Sequence, residues 1–524
     1  MIRTIIKREF LDNILSFKFI ACVLVAVVLV AVSTVIQAGN YLDRLNDYNK
    51  GTALTRADLA KVPAYSFLHF NIYKEPSVLS IFIPGLESKA GNFVTITHRE
   101  IPTLLKGGQV NNEFASVFSF FDLSSVVIGI FTILAILLAY GGISGEKESG
   151  TLSLALSSAV PRVRFLVGKY LGGFISLAVA VLFSFLSGLV ILLFLNGIEI
   201  GKGVFSSLLL IYLFALLYLS SVLLFGILVS SFTKSSFQSL VVVLAFYLIA
   251  VFLLPLAINS MADGTSARMA RNYDRNIGAL RDEGSARMDK IESDIPVHRG
   301  VTFMRATEEF SDALLGRLNP PETIAYFESY IPQEERLRED YALKIFNLRQ
   351  QAGQARTKVN RLRNWALAFL PPSCFGHAAE LETGTGRLAP DHFFVQLTLY
   401  WHQYIRYLDK KNALSLKYAY PYPRELKPAD RALVDDLKRV VAENKGPWWA
   451  SAAAREVGER NAQYEKEIKP LDLSDMPVFL YHKDGFGRRL GMWFPNVLIL
   501  VIDNVLLFAL TYFAFARYDP RMEI

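Results

Sequence analysis

The chain has 524 residues, 52% hydrophobic and 20% charged, with a mean hydropathy of +0.31. Soluble domains carry about a quarter charged residues and less apolar content, so the composition argues against a soluble enzyme and excludes a disordered, collagen-like or disulfide-built chain. Only two cysteines occur, Cys22 and Cys374, and Cys22 lies in an apolar run, so no disulfide framework is expected. The formal charge of +7 raises the question of nucleic acid, which the placement of the charges decides.

Residues 1–18 read as an amphipathic helix. Ile6, Phe10, Ile14 and Phe17 share one face, and the bases beside them suit a helix lying on an anionic membrane surface. Six apolar stretches follow at 19–38, 120–143, 171–195, 204–229, 237–258 and 493–516. Each approaches or exceeds the roughly 20 residues that a bilayer core requires. No small-residue cleavage pattern follows the first, and five more spans come after it, so it is expected to be retained. The predicted fold class is an α-helical polytopic membrane protein with six transmembrane helices.

Flanking charge predicts the orientation. With both termini inside, the inner segments (1–18, 143–170, 230–237 and 516–524) hold eleven Lys and Arg against six Asp and Glu. Most of the basic balance is then positive-inside bias, and no nucleic acid is expected. Arg488 and Arg489, just outside the sixth span, run against the bias, but long translocated segments obey it weakly. Two pieces fall outside. Residues 39–119 read as a small mixed α/β insertion, with strand-like runs at Ser80–Ile83 and Phe93–Thr97 among Pro76, Pro84 and Gly85. Residues 259–490 read as a large, mainly helical domain. Within it, Leu337, Tyr341, Ile345, Leu348, Ala352, Ala355, Val359 and Leu362 recur at steps of three and four, predicting a long amphipathic helix packed on its own domain. Shorter helices are expected over Ala429–Asn444 and Ala450–Ile468.

The segment between the second and third spans, residues 144–170, carries Glu146, Glu148, Gly150, Thr151, Leu152, Arg162, Gly168 and Lys169 in that order. It resembles the signature of ABC-2 type transporter permeases: two acids, Gly-Thr-Leu, an Arg, then Gly-Lys. Ala159 stands where many relatives have Pro, and Pro161 follows two residues later. The N-terminal stretch Ile5–Lys18 resembles the interfacial elbow helix of these permeases. The end, Phe515-Ala-Arg-Tyr-Asp-Pro-Arg521, is similar to that of a subgroup with large extracytoplasmic insertions, as are Pro76, Leu79, Ser80, Ile81 and Gly85. Gly384-Thr385 and Asp391-His392 are a fainter echo. The resemblance implies an ABC-2, type V exporter-like fold in the bacterial inner membrane, with 144–170 as a cytoplasmic coupling segment and 517–524 as a cytoplasmic tail. It implies two ATPase subunits, a second permease copy or paralogue, and outward movement of a hydrophobic or amphipathic substrate such as a lipid, glycan, peptide or lipoprotein. Lipids surround such a chain, and residues 259–490 are a candidate surface for an envelope partner. An alternative reading is a mechanotransmission subunit acting on that partner without a transport path. A third is a membrane enzyme with its site in 259–490, which predicts activity from that domain alone.

A phosphate-binding loop needs G-x-x-x-x-G-K-[ST]. The nearest approach, Gly197–Gly203, lacks the spacing and the hydroxyl, so ATP and Mg are expected on the partner ATPases and no cofactor on this chain. Acids inside a membrane are costly and are functional candidates. Asp122 reads as an N-cap in preference to a transport residue. Asp503, with Asn504, reads equally as a partner of a neighbouring helix or as lining a substrate path. Gly168-x-x-x-Gly172 and Ser184-x-x-x-Gly188 permit close helix approach. Cys374, His377, His392 and His402 have zinc-ligand types but irregular spacing, and no metal is expected.

Overall fold

The structure, a computed structural model, describes residues 2–63, 65, 68–87, 91–98, 122–152, 161–294, 321–386, 389–413, 428–443, parts of 451–463, and 469–517. Six helices are long and apolar enough to cross a membrane, as the apolar runs predict. Helix α1 (Ile2–Ile14) is separated from α2 (Phe17–Leu59) by a break at which the Ser16 hydroxyl accepts the Phe19 N–H at 3.3 Å. This cap satisfies one donor that the new helix would otherwise orphan. The 43 residues of α2 continue well past the apolar span, and the chain then enters an antiparallel hairpin of β1 (Phe70–Tyr73) and β2 (Phe93–Ile96).

The second span is built from α3 (Leu123–Val126), a π-helical stretch over Val127–Phe131, and α4 (Thr132–Ala139). One short turn, α5 (Ser144–Glu148), follows. Next come α6 (Arg162–Phe194), α7 (Lys202–Phe232) and α8 (Ser236–Leu248). Through a second π stretch at Ile249–Leu253, α8 continues into α9 (Leu254–Asp294). Helix α10 (Pro321–Ala368) returns alongside α9, with Tyr341 donating to Glu283 at 2.8 Å. The remaining helices are α11 (Pro371–Thr383), α12 (Ala389–Lys410), α13 (Pro428–Glu443) and α14 (Phe486–Ala516), the last being the sixth span.

The expected large domain does not stand apart from the bundle. Helix α11 lies within it: Cys374, Phe375, Ala378 and Ala379 are buried in the same core as Phe131, Leu177 and Tyr218. Phe375 stacks on Tyr218 of α7, ring centroids 5.6 Å apart. At the end of α11 the fully buried Glu382 accepts from Ser207 of α7 at 2.7 Å and from Arg489 and Trp493 of α14 at 3.1 and 2.9 Å. A buried carboxylate is stable only when paired and hydrogen-bonded, so this acid fixes α11 between two spans.

Nor do the two insertions form separate units. Phe70 and Ile72 of β1 and Val94 and Ile96 of β2 share one core with Phe393, Leu397, Tyr400, Trp401 and Tyr404 of α12. The hydroxyl of Tyr404 donates to Leu68 O at 3.0 Å and the Trp401 indole to Thr97 O at 2.9 Å. Within the run Phe93–Thr97, Phe93–Ile96 is strand, whereas Ser80–Ile83 is not: Val78–Ile81 is a 3₁₀ turn. Its apolar residues do not alternate between faces, since Ile81, Phe82 and Ile83 are all buried. Helix α10 covers the period read over Leu337–Leu362, and α13, ending at Glu443, the helix expected over Ala429–Asn444. The stretch Ala450–Ile468 lies largely, and Ala159 and the Tyr-Asp-Pro-Arg end wholly, outside the described residues.

Gly85 and Gly384-Thr385, some 300 positions apart in sequence, meet at the seam between the two cores. Gly85 has φ +52°, and a Cβ there would lie 2.4 Å from the Thr385 carbonyl oxygen, which accepts the Leu86 N–H at 2.9 Å. Gly85→Ala is therefore expected to lower the melting temperature of the purified chain, costing at least about 1–2 kcal/mol from the left-handed backbone alone. Gly278→Ala, in open space on α9, serves as the matched control. It is expected to be neutral or stabilising by roughly 0.5–1 kcal/mol.

Candidate coupling site

Helix α5 is one turn long and ends at Gly150, whose φ of +69° and N–H bond to Lys147 O at 3.0 Å close it. Successive residues on a helix point about 100° apart, so three consecutive charges cannot face the same way. Here each grips a different helix. Glu146 accepts from Lys169 of α6 at 3.0 Å, and the same ammonium pairs with Glu9 of α1 at 2.8 Å. Lys147 donates to Ser231 O and Thr233 O at 2.7 and 3.1 Å, the last carbonyls of α7. Glu148 accepts from Ser236 at 2.6 Å, in the first turn of α8. Both placements agree with the helix dipole, cation at a C-terminus and anion at an N-terminus. Arg162 extends the pattern by donating to Ala516 O, the last helical residue of α14. Ser230 of α7 completes the turn by accepting the N–H groups of Ile143 and Ser144 at 3.1 and 2.9 Å.

The residues carried over from the signature therefore divide in two. Glu148, Gly150 and Thr151 are exposed, whereas Leu152 and Gly168 are buried and Lys169 keeps only 9% of its side chain accessible. Thr151 also donates its hydroxyl to Glu146. Gly168 is small because α1 lies against it. A Cβ there would sit 2.7 Å from Ile5 Cγ2, and one at Gly172 would sit 2.5 Å from Glu9 Cβ. Asn13 reaches Ser176 at 3.5 Å, so Ile5, Glu9 and Asn13 run beside positions 168, 172 and 176 in the same direction. The Gly-x-x-x-Gly pair is used for packing, and α1 is held by that edge; Phe17, on the face read as interfacial, is 84% exposed.

The polar residues inside the spans have distinct fates. Asp122 is the N-cap of α3, accepting the Ser125 N–H at 2.7 Å. Asn504 accepts from Ser220 of α7 at 2.5 Å and donates to Leu217 O at 2.9 Å, and Tyr170 of α6 joins the Ser220 hydroxyl at 2.6 Å. This ties α6, α7 and α14 together. Asp503 differs: its Oδ2 is buried with no hydrogen-bond partner among the described residues. Among those residues no three His, Cys, Asp or Glu gather as a metal site. Cys374 is in the bundle core, and His392 pairs with Asp484 at 3.4 Å on α12. Sequence reasoning missed Lys147, Glu9 and Glu382. Lys147 figured only as a positive charge, and nothing in the linear pattern marks the other two.

A six-span helical bundle with its charged turn folded onto five helices defines a polytopic membrane subunit. The chain belongs to the ABC-2 family of transporter proteins, whose family profile matches residues 3–298. It is similar to the "Probable ABC transporter permease protein NosY" of Stutzerimonas stutzeri, at 41% identity over 81 residues, 15% of this chain and 29% of that protein. The protein of the same name in Pseudomonas aeruginosa is 42% identical over 64 residues, 12% of this chain and 23% of that protein. The chain thus spans less than a third of the length of either curated relative. What the family establishes is the membrane subunit of an ABC transporter.

Lys169→Ala leaves Glu9 and Glu146 facing each other without their shared cation. Breaking a fully buried pair costs about 3–5 kcal/mol; both acids here keep about a quarter of their exposure, so roughly 2 kcal/mol is expected. Amide exchange should rise in α1 before the rest of the bundle, and Glu9→Gln in the same chain should recover part of the loss.

Proposed function

We propose that this chain is the permease through which separate ATPase subunits drive outward movement of a hydrophobic or amphipathic substrate, with the turn at 144–170 as the point of entry for that drive. Both termini and this turn face the cytoplasm, the insertions face outward, and two ATPases carrying ATP and Mg act on two permeases, either copies or paralogues. The exposed Glu148, Gly150 and Thr151 meet the ATPase. Glu146, Leu152, Arg162, Gly168 and Lys169 pass its displacement to the helices behind them. The observation that carries this reading is the division of labour within one turn: Glu146, Lys147 and Glu148 hold α6 with α1, α7 and α8 respectively. A push on such a turn reaches several spans together, whereas an ordinary charged loop would leave its charges in water.

A second reading, mechanotransmission to an envelope partner, is favoured by one feature. The apolar span of α8 continues without interruption into α9, giving a helix over Ser236–Ile291 that leaves the bundle as a lever. Flux from proteoliposomes holding the permease with its ATPases separates the two readings: directional movement of lipid, glycan or peptide supports transport, and ATP turnover without flux supports the lever.

Gly150→Val places a β-branched residue at φ +69°. Together with Glu148→Arg it is expected to abolish co-purification of the ATPase from native membranes while the permease still elutes as a folded species. Undiminished ATPase recovery would remove the turn from the docking surface. Labelling of a cysteine at position 150 from the outer side of intact cells would overturn the orientation itself.

A further inference from the structure

The paired helices α9 and α10 form a neck just beyond the bundle, and its chemistry changes abruptly along its length. Leu367 and Leu370 at the end of α10 pack on Ala250 and Ile258 at the start of the neck. Around that level, side chains are apolar and open: Leu256, Met261, Leu362, Trp365 and Phe369 are 64–80% exposed. Further along, the surface is basic. No acid occurs between Asp340 and Glu380, while α10 carries the exposed Arg356, Lys358 and Arg361. Exposed Arg268, Arg271 and Arg275 form a stripe on α9, against which only Asp263 and Asp274 stand in the same stretch. Among the described residues, none of these six bases is in an ion pair.

The antiparallel register, Tyr341 beside Gly284 and Leu367 beside Ile258, places Arg268 and Arg271 level with residues 354–357 of α10. At 1.5 Å per residue, Arg361 lies about 6 Å beyond Trp365 and Arg356 about 14 Å beyond it. The head-group layer beyond a Trp-rich boundary is about 5–8 Å deep in each leaflet, so Arg361 stands within it and Lys358, Arg356, Arg268 and Arg271 reach back to it. Long basic side chains reach several ångström along such a boundary. The charges lie on one stripe of α9 and on more than one side of α10, so they are met from several directions. A surrounding leaflet meets such a neck; a folded partner would require a single face.

We infer that the α9–α10 neck is a binding surface for anionic phospholipid head groups in the leaflet from which α8 emerges. Trp365 and its apolar neighbours sit at the acyl boundary, and the five bases nearest to it contact the phosphates; Arg275, level with residue 350 and about 22 Å beyond Trp365, lies outside the head-group layer. Because a lipid is held at the foot of both long helices, the neck's tilt becomes dependent on the charge of the leaflet.

The test uses the full chain in nanodiscs of mixed phosphatidylglycerol and phosphatidylcholine, with retained lipid counted by native mass spectrometry. Wild-type protein is expected to enrich phosphatidylglycerol, less so as ionic strength rises. The combined Arg268→Glu, Arg271→Glu, Lys358→Glu, Arg361→Glu chain is expected to lose that enrichment by at least about tenfold, since each base near an anionic surface contributes a factor of roughly five. Replacing the three arginines by Lys should preserve it, and neutral Gln replacements provide a second test should charge reversal impair folding. The melting temperature in pure phosphatidylcholine should be unchanged. Equal retention by wild type and the reversed or neutral chain would overturn the inference. Displacement of phosphatidylglycerol by inorganic phosphate would also overturn it, in favour of a free anion, and displacement by polyglutamate would do so in favour of an acidic protein partner.

Discussion

The end of a helix within or beside a membrane carries backbone groups that water cannot fully serve, and the charged residues of α5 and of the first turns of α6 are organised around that constraint. Lys147 answers the carbonyls of α7, Arg162 those of α14, and Glu148 sits at the start of α8. Lys169 lies deeper, between an acid of α1 and an acid of α5. Removing Lys169 leaves two partly buried acids without their shared cation, which costs more than the contact itself contributes. Helix α5 is therefore tied to α6, α7 and α8, and through Lys169 to α1, which is what the proposed transmission of force requires.

Much of this was legible in the residues, for identifiable reasons. Spans announce themselves by length and lack of charge; α10 by apolar steps of three and four; Asp122 by standing at the start of an apolar run, where a carboxylate can take the first free N–H. The ordered string from Glu146 to Lys169 marked the turn that the proposal makes the coupling site. What it could not supply was the identity of each partner, because Glu9 and Ser236 are brought to the turn only by tertiary packing.

Helix α11 illustrates the limit most clearly. Its 13 residues are too few for a span and too mixed for an amphipathic surface helix, so they merged with the surrounding external segment. Only the placement of Phe375 on Tyr218 and of Glu382 between Ser207, Arg489 and Trp493 reveals a helix embedded in the bundle. The same tertiary argument joins β1–β2 to α12. Each half presents an apolar face that is meaningless until the other, about 300 residues later in the sequence, covers it.

The two prolines that open α11 settle an accounting problem. A helix beginning amid apolar side chains brings four N–H groups with no turn before them. Pro371 and Pro372 have none to bring, and the next two, from Ser373 and Cys374, both reach back to Leu370 O at 3.0 and 3.1 Å. Every donor at this blunt start is thereby absent or accounted for. The protein can launch a helix among apolar side chains without a water molecule to satisfy its first donors.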